Sequence, residues 1–263
     1  MTDLFSLKDK TAIVTGASGL LGKAHCEALA AAGANVVLAD IRPVSFEMAG
    51  NHLRVILDVS DEGSVQQAKE RILNRFGSID ILVNNAAIND MFESPALAGK
   101  QSMFENYPLQ LWDNAWKVNV TGVFLCSQVF GAVMAEQCSG SIINIASTYG
   151  MVGPDQNIYK SPSGEQVFFK SPAYPVTKSA VIGFTKFLAA YWGHKNVRVN
   201  TLSPGGVENK QDDFFIKNYT AKTLLGRMAS PADYQGALVF LASDASAYMT
   251  GANLVVDGGW TAI

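Results

Sequence analysis

Short runs of branched apolar residues alternate along this chain with longer stretches in which apolar positions recur every three or four residues. TAIVTG (11–16) and ANVVLAD (34–40) carry consecutive rather than alternating apolar residues, the pattern of strands buried on both faces. Between them, LLGKAHCEALAAAG (20–33) predicts a helix closed by Gly33. HLRVILDV (52–59) and IDILVNNAA (79–87) predict two more strands, separated by a helix whose Val65, Ala68, Ile72 and Phe76 share one face. A long helical region covers about 104–137, and the strand SIINIAS (141–147) follows it. Next come the helix AYPVTKSAVIGFTKFLAAYWG (173–193) and the strand VRVNTLSP (197–204). After an irregular segment, a helix starts with Ser230 as cap and Pro231 in its first turn, and NLVVDGG (253–259) is the last strand. The pattern predicts an α/β fold: a doubly wound parallel sheet of about seven strands, covered by helices on both faces. No linker, repeat or low-complexity tract divides the 263 residues, so residues 1–263 are expected to form one domain.

Composition narrows the classes of partner. With 48% hydrophobic and 16% charged residues the chain buries a sizeable core, and disorder is not expected. A net charge of −3 and a pI near 5.6 leave no basic footprint, so neither nucleic acid nor a membrane surface is an expected partner. No uninterrupted apolar run has the length of a span, and the charges in MTDLFSLKDK stand where a signal peptide needs its apolar stretch. Cys26, Cys126 and Cys138 form no CxxC pair, which fits a reduced, cytoplasmic protein; no metal site is expected.

VTGASGLLG (14–22) joins the first strand to the first helix, with Gly16, Gly19 and Gly22 spaced three apart. Such a turn bends sharply, admits a pyrophosphate close to the backbone and aims helix N–H groups at negative charge. The plain alternative is a turn that merely needs glycine. Asp40 ends the second strand, where a carboxylate accepts from both ribose hydroxyls of adenosine and repels a 2′-phosphate. The combination favours NAD over NADP, although Arg42 lies two residues on and suits a phosphate.

Tyr174 and Lys178 stand four apart on the predicted helix, hence on one face. A neighbouring ammonium favours the phenolate and is expected to lower the tyrosine pKa toward neutrality. With this pair in place, the chain resembles the short-chain dehydrogenase/reductase family over essentially its whole length. The likeness is carried by TGASGLLG, Asp58-Val59, NNAA (84–87), Asn119 in KVNVTG, Ser147 in INIASTYG, YPVTK, Pro204-Gly205 in LSPGG, and VVDGG.

The resemblance implies a Rossmann-type three-layer fold and hydride transfer between a nicotinamide and a secondary alcohol or ketone. Tyr174 is then the acid–base group, Ser147 binds the same substrate oxygen, Lys178 tunes Tyr174 and holds the nicotinamide ribose, and Asn119 holds a water in a proton relay. Cofactor contacts are implied at Gly16, Ser18, Gly19, Leu20 and Leu21, at Asp40 and Ile41, and at Asp58 and Val59. They continue at Asn85, Ala86 and Ala87, at Tyr174 and Lys178, and at Pro204, Gly205 and Val207. Ala87 replaces a glycine common in the family, and Asn209 a threonine. The glycine spacing is similar to that of the extended branch, which includes sugar-nucleotide epimerases and dehydratases. The 85 residues after Lys178 leave no room for that branch's substrate domain.

Ser147 and Tyr174 are 27 apart, roughly twice the family separation, and the excess reads as a substrate-loop insertion near 151–172; a second lies near 89–108. Asp90, Asn106, Asp155, Gln156, Asn157, Tyr159, Lys160 and Lys170 give these loops a polar rim suited to a hydroxyl-rich, carbohydrate-like small molecule, while Phe168 and Phe169 point toward a more hydrophobic ketone. A weaker likeness runs to family members of bacterial surface-polysaccharide and flagellin-glycan pathways. An epimerase or dehydratase using NAD transiently, or a cofactor-binding protein without catalysis, is the alternative. Surplus apolar residues in the 109–137 and 173–192 helices, such as Phe124 and Phe187, fit the homodimers and homotetramers of the family.

Overall fold

A computed structural model describes residues 3–89 and 99–263. Seven strands form one sheet: β1 (Thr11–Thr15), β2 (Asn35–Asp40), β3 (His52–Ile56), β4 (Ile81–Asn84), β5 (Gly140–Ile145), β6 (Val197–Pro204) and β7 (Asn253–Val256). Their order is β3-β2-β1-β4-β5-β6-β7, and every pairing is parallel. The reason for unbroken apolar strands is visible in β1. Ile13 enters the core that contains Val65 and Ile72 of α2 (Glu62–Phe76), whereas Ala12 and Val14 enter the core that contains Cys26 and Leu29 of α1 (Leu20–Ala31). Successive side chains of a strand face opposite layers, so a doubly covered sheet needs apolar residues at both parities.

The first core also takes Leu125, Phe130 and Met134 of α3 (Leu109–Gln137) and Leu188 of α4 (Ala173–Trp192). The second takes Leu238 and Leu241 of α6 (Gln235–Ala242). Among the described residues α3 alone matches a membrane span by length and composition, yet half of its apolar window is buried against the protein. On α4 the rings of Phe187 and Tyr191 stack 5.9 Å apart and stay exposed.

Three local details differ from expectation. The helix expected from about 104 starts at Leu109, after a separate 3₁₀ turn at Phe104–Asn106. The segment expected to be irregular after β6 contains α5 (Asp213–Thr220), whose Phe215 and Tyr219 pack with Ile158, Tyr159 and Trp260. The start of the last helix is a 3₁₀ turn at Pro231–Tyr234, where the Ser230 N–H and hydroxyl both donate to the Asp233 carboxylate, at 2.7 and 3.1 Å.

His25 lies fully buried on α1, with no hydrogen-bond partner for either ring nitrogen among the described residues. Burial alone lowers its pKa to about 4. The folded protein therefore refuses a proton that the unfolded chain accepts near its ordinary value, so stability is full above about pH 6.5 and falls as the pH drops toward 4. The loss between pH 7.5 and 5 is expected to be about 2 kcal/mol. Denaturation midpoints at the two pH values measure it, and His25→Leu should remove most of the difference.

Candidate active site

β1 and β4 are neighbours from which the sheet is wound in opposite directions, so a crevice opens beyond their C-terminal ends. Gly16 turns there with φ +66°, a left-handed conformation, and a Cβ on Gly22 would lie 2.1 Å from the Gly16 carbonyl oxygen. The three-apart glycines thus serve two needs, a reversed turn and a helix start pressed onto it. Thr15 and Asn85 latch the turn to β4: Thr15 Oγ1 accepts from the N–H groups of Asn85 and Ala86 at 3.0 Å, and Asn85 Nδ2 donates to the carbonyls of Thr15 and Gly16 at 2.9 and 3.1 Å. Reading Thr15 as a strand residue hides this role.

A cleft of about 680 Å³ runs from this turn across the strand ends. Gly16, Gly19, Leu20 and Leu21 form one wall, Asp40, Ile41, Asp58 and Val59 the far end, and Asn85, Ala86 and Ala87 the other wall. Ser18, expected at the cofactor, is exposed and does not line this cleft; its N–H donates to Asp40 Oδ2 at 2.9 Å, while the Arg42 N–H donates to Oδ1 at 3.0 Å. Asp58 is partly engaged as well, accepting from the Ser60 N–H and hydroxyl at 2.9 and 2.7 Å.

Leu20 and Leu21 also border a second cavity, of about 430 Å³, which contains Ser147, Tyr174, Pro204, Gly205 and Val207. Ser147 is buried at the end of β5, accepts from the Tyr149 N–H at 3.2 Å, and lines the same cavity as Tyr174. Lys178 lies one helical turn behind, its Nζ 5.7 Å from the Tyr174 ring centre and donating to the Ile145 carbonyl at 2.7 Å. Asn119 sits in a π-helical turn of α3 (Lys117–Thr121), closed by the Gly122 N–H donating to the Lys117 carbonyl. Its carboxamide accepts from the Ile88 N–H at 2.8 Å and donates to the Ile88 carbonyl and Thr177 Oγ1, both at 3.1 Å. Thr177 in turn donates to the Tyr174 carbonyl at 2.9 Å.

The expected lowering of the Tyr174 pKa by Lys178 is not what this site shows. Burial raises the phenol above its ordinary value, and the Ser147 hydroxyl draws it only partly back. Burial also lowers Lys178 to about 8. Both charged forms lose water at once, and that loss sets the direction of both shifts.

The polar rim is assembled selectively. Tyr159 and Lys170 reach the second cavity, as do Asn89, Asn209 and Gln211. Asp155 turns away to pair with Lys222, Asn157 and Asn106 are exposed, and Lys160 sits at a small β-bridge with Gln166; Asp90 lies outside the described residues. Phe168 packs on Tyr159 with ring centres 4.7 Å apart, so it serves the loop's own core. Tyr149 and Tyr219, not singled out by sequence, also line the cavity.

Comparison with known proteins places this geometry. A family model described as enoyl-(acyl carrier protein) reductase matches residues 16–261. D-threitol dehydrogenase of Mycolicibacterium smegmatis is 37% identical over 98% of this chain and 95% of its own length. The chain belongs to the short-chain dehydrogenase/reductase family. It is thereby an oxidoreductase, and its relatives are dehydrogenases of alcohol groups. The 3-alpha-(or 20-beta)-hydroxysteroid dehydrogenase of Mycobacterium bovis is 35% identical over 96% of this chain and 90% of its own. Among solved structures, a short-chain dehydrogenase from Leptospira borgpetersenii with bound NAD+ has a TM-score of 0.86 at 31% identity, covering 99% and 96% of the two chains. A gluconate 5-dehydrogenase from Burkholderia cenocepacia in complex with NADP and tartrate has a TM-score of 0.83 at 28% identity, covering 99% and 98%. Members of this short-chain dehydrogenase/reductase family bind a nicotinamide cofactor, and the cleft beside Tyr174 has the room and the glycine turn for one.

Proposed function

We propose that this protein, as a single 263-residue domain, uses NAD to oxidise a secondary alcohol of a small polyhydroxylated compound, with Tyr174 as the acid–base group. The observation that carries the reading is that Ser147 and Tyr174 line one cavity, which shares Leu20 and Leu21 with the glycine-turn cleft. The nicotinamide, when bound, supplies the hydride acceptor. Tyr174 takes the hydroxyl proton, Ser147 holds the same oxygen, and the Lys178 ammonium behind the ring offsets the phenolate charge. Asn119 acts through Thr177 on the backbone of Tyr174 and orders the route by which the proton leaves. Gly16, Gly19 and the N–H groups after them would seat the pyrophosphate. Pro204, Gly205 and Val207 would border the nicotinamide. Asp40 favours NAD, because a 2′-phosphate would meet its carboxylate.

Several features support a polar substrate. The cavity presents the hydroxyls of Tyr149 and Tyr159, hydrogen-bonded to each other at 3.2 Å, together with Asn89 and Gln211. Phe168, which argued for a hydrophobic ketone, is used internally. The names of the threitol and gluconate dehydrogenases point the same way. The exposed Phe187–Tyr191 stack supports assembly as a homodimer or homotetramer, which sedimentation measures. Two buried cysteines, Cys26 and Cys126, with thiols raised to about 12, fit a reducing, cytoplasmic setting.

The test is nicotinamide reduction followed by absorbance with C4–C6 alditols and aldonates as substrates, against hydrophobic secondary alcohols. Net NADH on the polyhydroxylated set is expected; NADH only on hydrophobic alcohols overturns the substrate class, and conversion without net NADH overturns the dehydrogenase reading. Because burial holds the phenol above its ordinary value, oxidation, which needs the phenolate, should quicken from about pH 7 to 10, while the reverse reduction, which needs the phenol protonated, stays nearly level over that range.

A further inference from the structure

Tyr149 and Tyr159 line the substrate cavity with their hydroxyl oxygens 3.2 Å apart, one phenol bonded to the other. Tyr149 stands in the 3₁₀ turn after β5 (Thr148–Gly150), and its N–H donates to Ser147 Oγ. Tyr159 comes from the inserted loop, in a second 3₁₀ turn (Gln156–Tyr159), and is 1% exposed. Phe168 and Phe215 hold its ring, with centres 4.7 and 5.5 Å away. Asn218 of α5 holds its backbone, Nδ2 donating to the Ile158 and Lys160 carbonyls at 3.3 and 3.4 Å. The loop is fastened further along as well. The Gln156 side chain accepts from the Lys170 N–H at 2.8 Å and donates to the Lys170 carbonyl at 3.3 Å, a clasp on both sides of one residue. The Phe169 N–H donates to Ser102 Oγ at 2.9 Å, and the Lys170 ammonium lies 4.5 Å from the Tyr174 ring centre. Two phenols own two protons, and the bond between them uses one. Whichever oxygen donates, the other hydroxyl keeps a proton that no group among the described residues accepts. Burial keeps both groups protonated, with Tyr149 pushed up to about 12 and Tyr159 well above the ordinary phenol value.

We infer that the Tyr149–Tyr159 pair is a specificity element that gives its spare proton to a substrate hydroxyl on the carbon next to the carbinol, and so selects vicinal diols over alcohols with a single hydroxyl. The inference rests on the reading of Ser147 and Tyr174 as the groups that hold and deprotonate the reacting oxygen. The place beside the carbinol follows from Tyr149, which is bonded through its own N–H to that serine. A hydroxyl is the matching group, because it accepts the spare proton and can return its own to a phenol oxygen. The bond between the phenols also polarises the outer O–H and makes it the better donor. A methylene at the same point leaves a buried donor unanswered, and a site built around such a donor rejects the deoxy analogue strongly.

The test pairs butane-2,3-diol with butan-2-ol and threitol with butane-1,2,4-triol, the members of each pair differing by one hydroxyl next to a secondary carbinol. The wild type should favour the richer member in kcat/KM about a hundredfold. The double variant Tyr149→Phe/Tyr159→Phe should cut that preference about tenfold, mainly through the KM of the richer member. It removes both partners of the bond and keeps both rings, so no polar group is stranded and the contacts with Phe168 and Phe215 remain. Tyr159→Phe alone should give a smaller cut in the same direction. Calorimetry of threitol and butane-1,2,4-triol on the NAD-loaded Tyr174→Phe variant, with and without the double change, reads the same contact without turnover. A wild type indifferent to the extra hydroxyl, equal losses for both members of a pair, or threitol binding that ignores residues 149 and 159 each overturn the inference. Oxidation of both members at like rates leaves the role of Tyr174 standing and sinks this inference alone. If no alcohol is oxidised, that role falls; tighter binding of threitol that depends on the two phenols then still supports this inference, and its absence overturns it.

Discussion

Replacing Tyr174 with phenylalanine is expected to lower alcohol oxidation about a thousandfold, in line with the loss of one positioned acid–base group. Cofactor affinity should change only a few-fold. The ring itself stays: it is part-exposed on the cavity, while its hydroxyl is the desolvated part, and the two flanking ammonium groups at 4.5 and 5.7 Å from the ring centre keep their places. What is lost is the O–H, the only part of the residue that exchanges a proton. Steady-state rates together with a fluorescence titration of NADH separate the two effects. Activity within tenfold of the wild type would remove Tyr174 from the chemistry, whereas equal loss of turnover and of cofactor binding would mark a folding defect.

A second large effect is expected at Asp40. Its carboxylate is 6% exposed, borders the cleft, and is oriented by N–H groups from Ser18 in the glycine turn and Arg42 in the next loop. A fixed negative charge there costs a 2′-phosphate several kcal/mol, and every 1.4 kcal/mol is a factor of ten. Asp40→Ser keeps an acceptor for the turn but removes the charge, and Arg42, already lining the cleft, then faces the phosphate. The NAD-to-NADP ratio of kcat/KM should fall about a hundredfold. A ratio unmoved by the substitution would show that the ribose does not reach this end of the cleft.

Much of this architecture is legible in the chain because its signals are local. Strands such as β1 and β2 announce themselves by apolar residues at both parities, and the turn by its glycines, of which Gly16 needs the left-handed φ and Gly22 the close approach. Other features depend on partners distant in sequence. KVNVT shows no mark of a π-helical turn, because the bonds from Asn119 to Ile88 and Thr177 are made by residues 31 and 58 positions away. The helix Asp213–Thr220 is short, and it exists because Phe215 and Tyr219 find Tyr159 and Trp260 to pack on. The direction of the Tyr174 shift is invisible for the same reason: spacing shows an ammonium one turn away, but only the packed site shows how much water both groups lose.

The bond from Phe169 to Ser102 and the Gln156 clasp on Lys170 join two segments that are far apart in the chain into one piece of wall. That stretch of wall is therefore one mechanical unit. Grafting residues 151–172 alone onto a related scaffold would strand one end of the fastening, and transplanting the loop requires carrying the Ser102 segment with it.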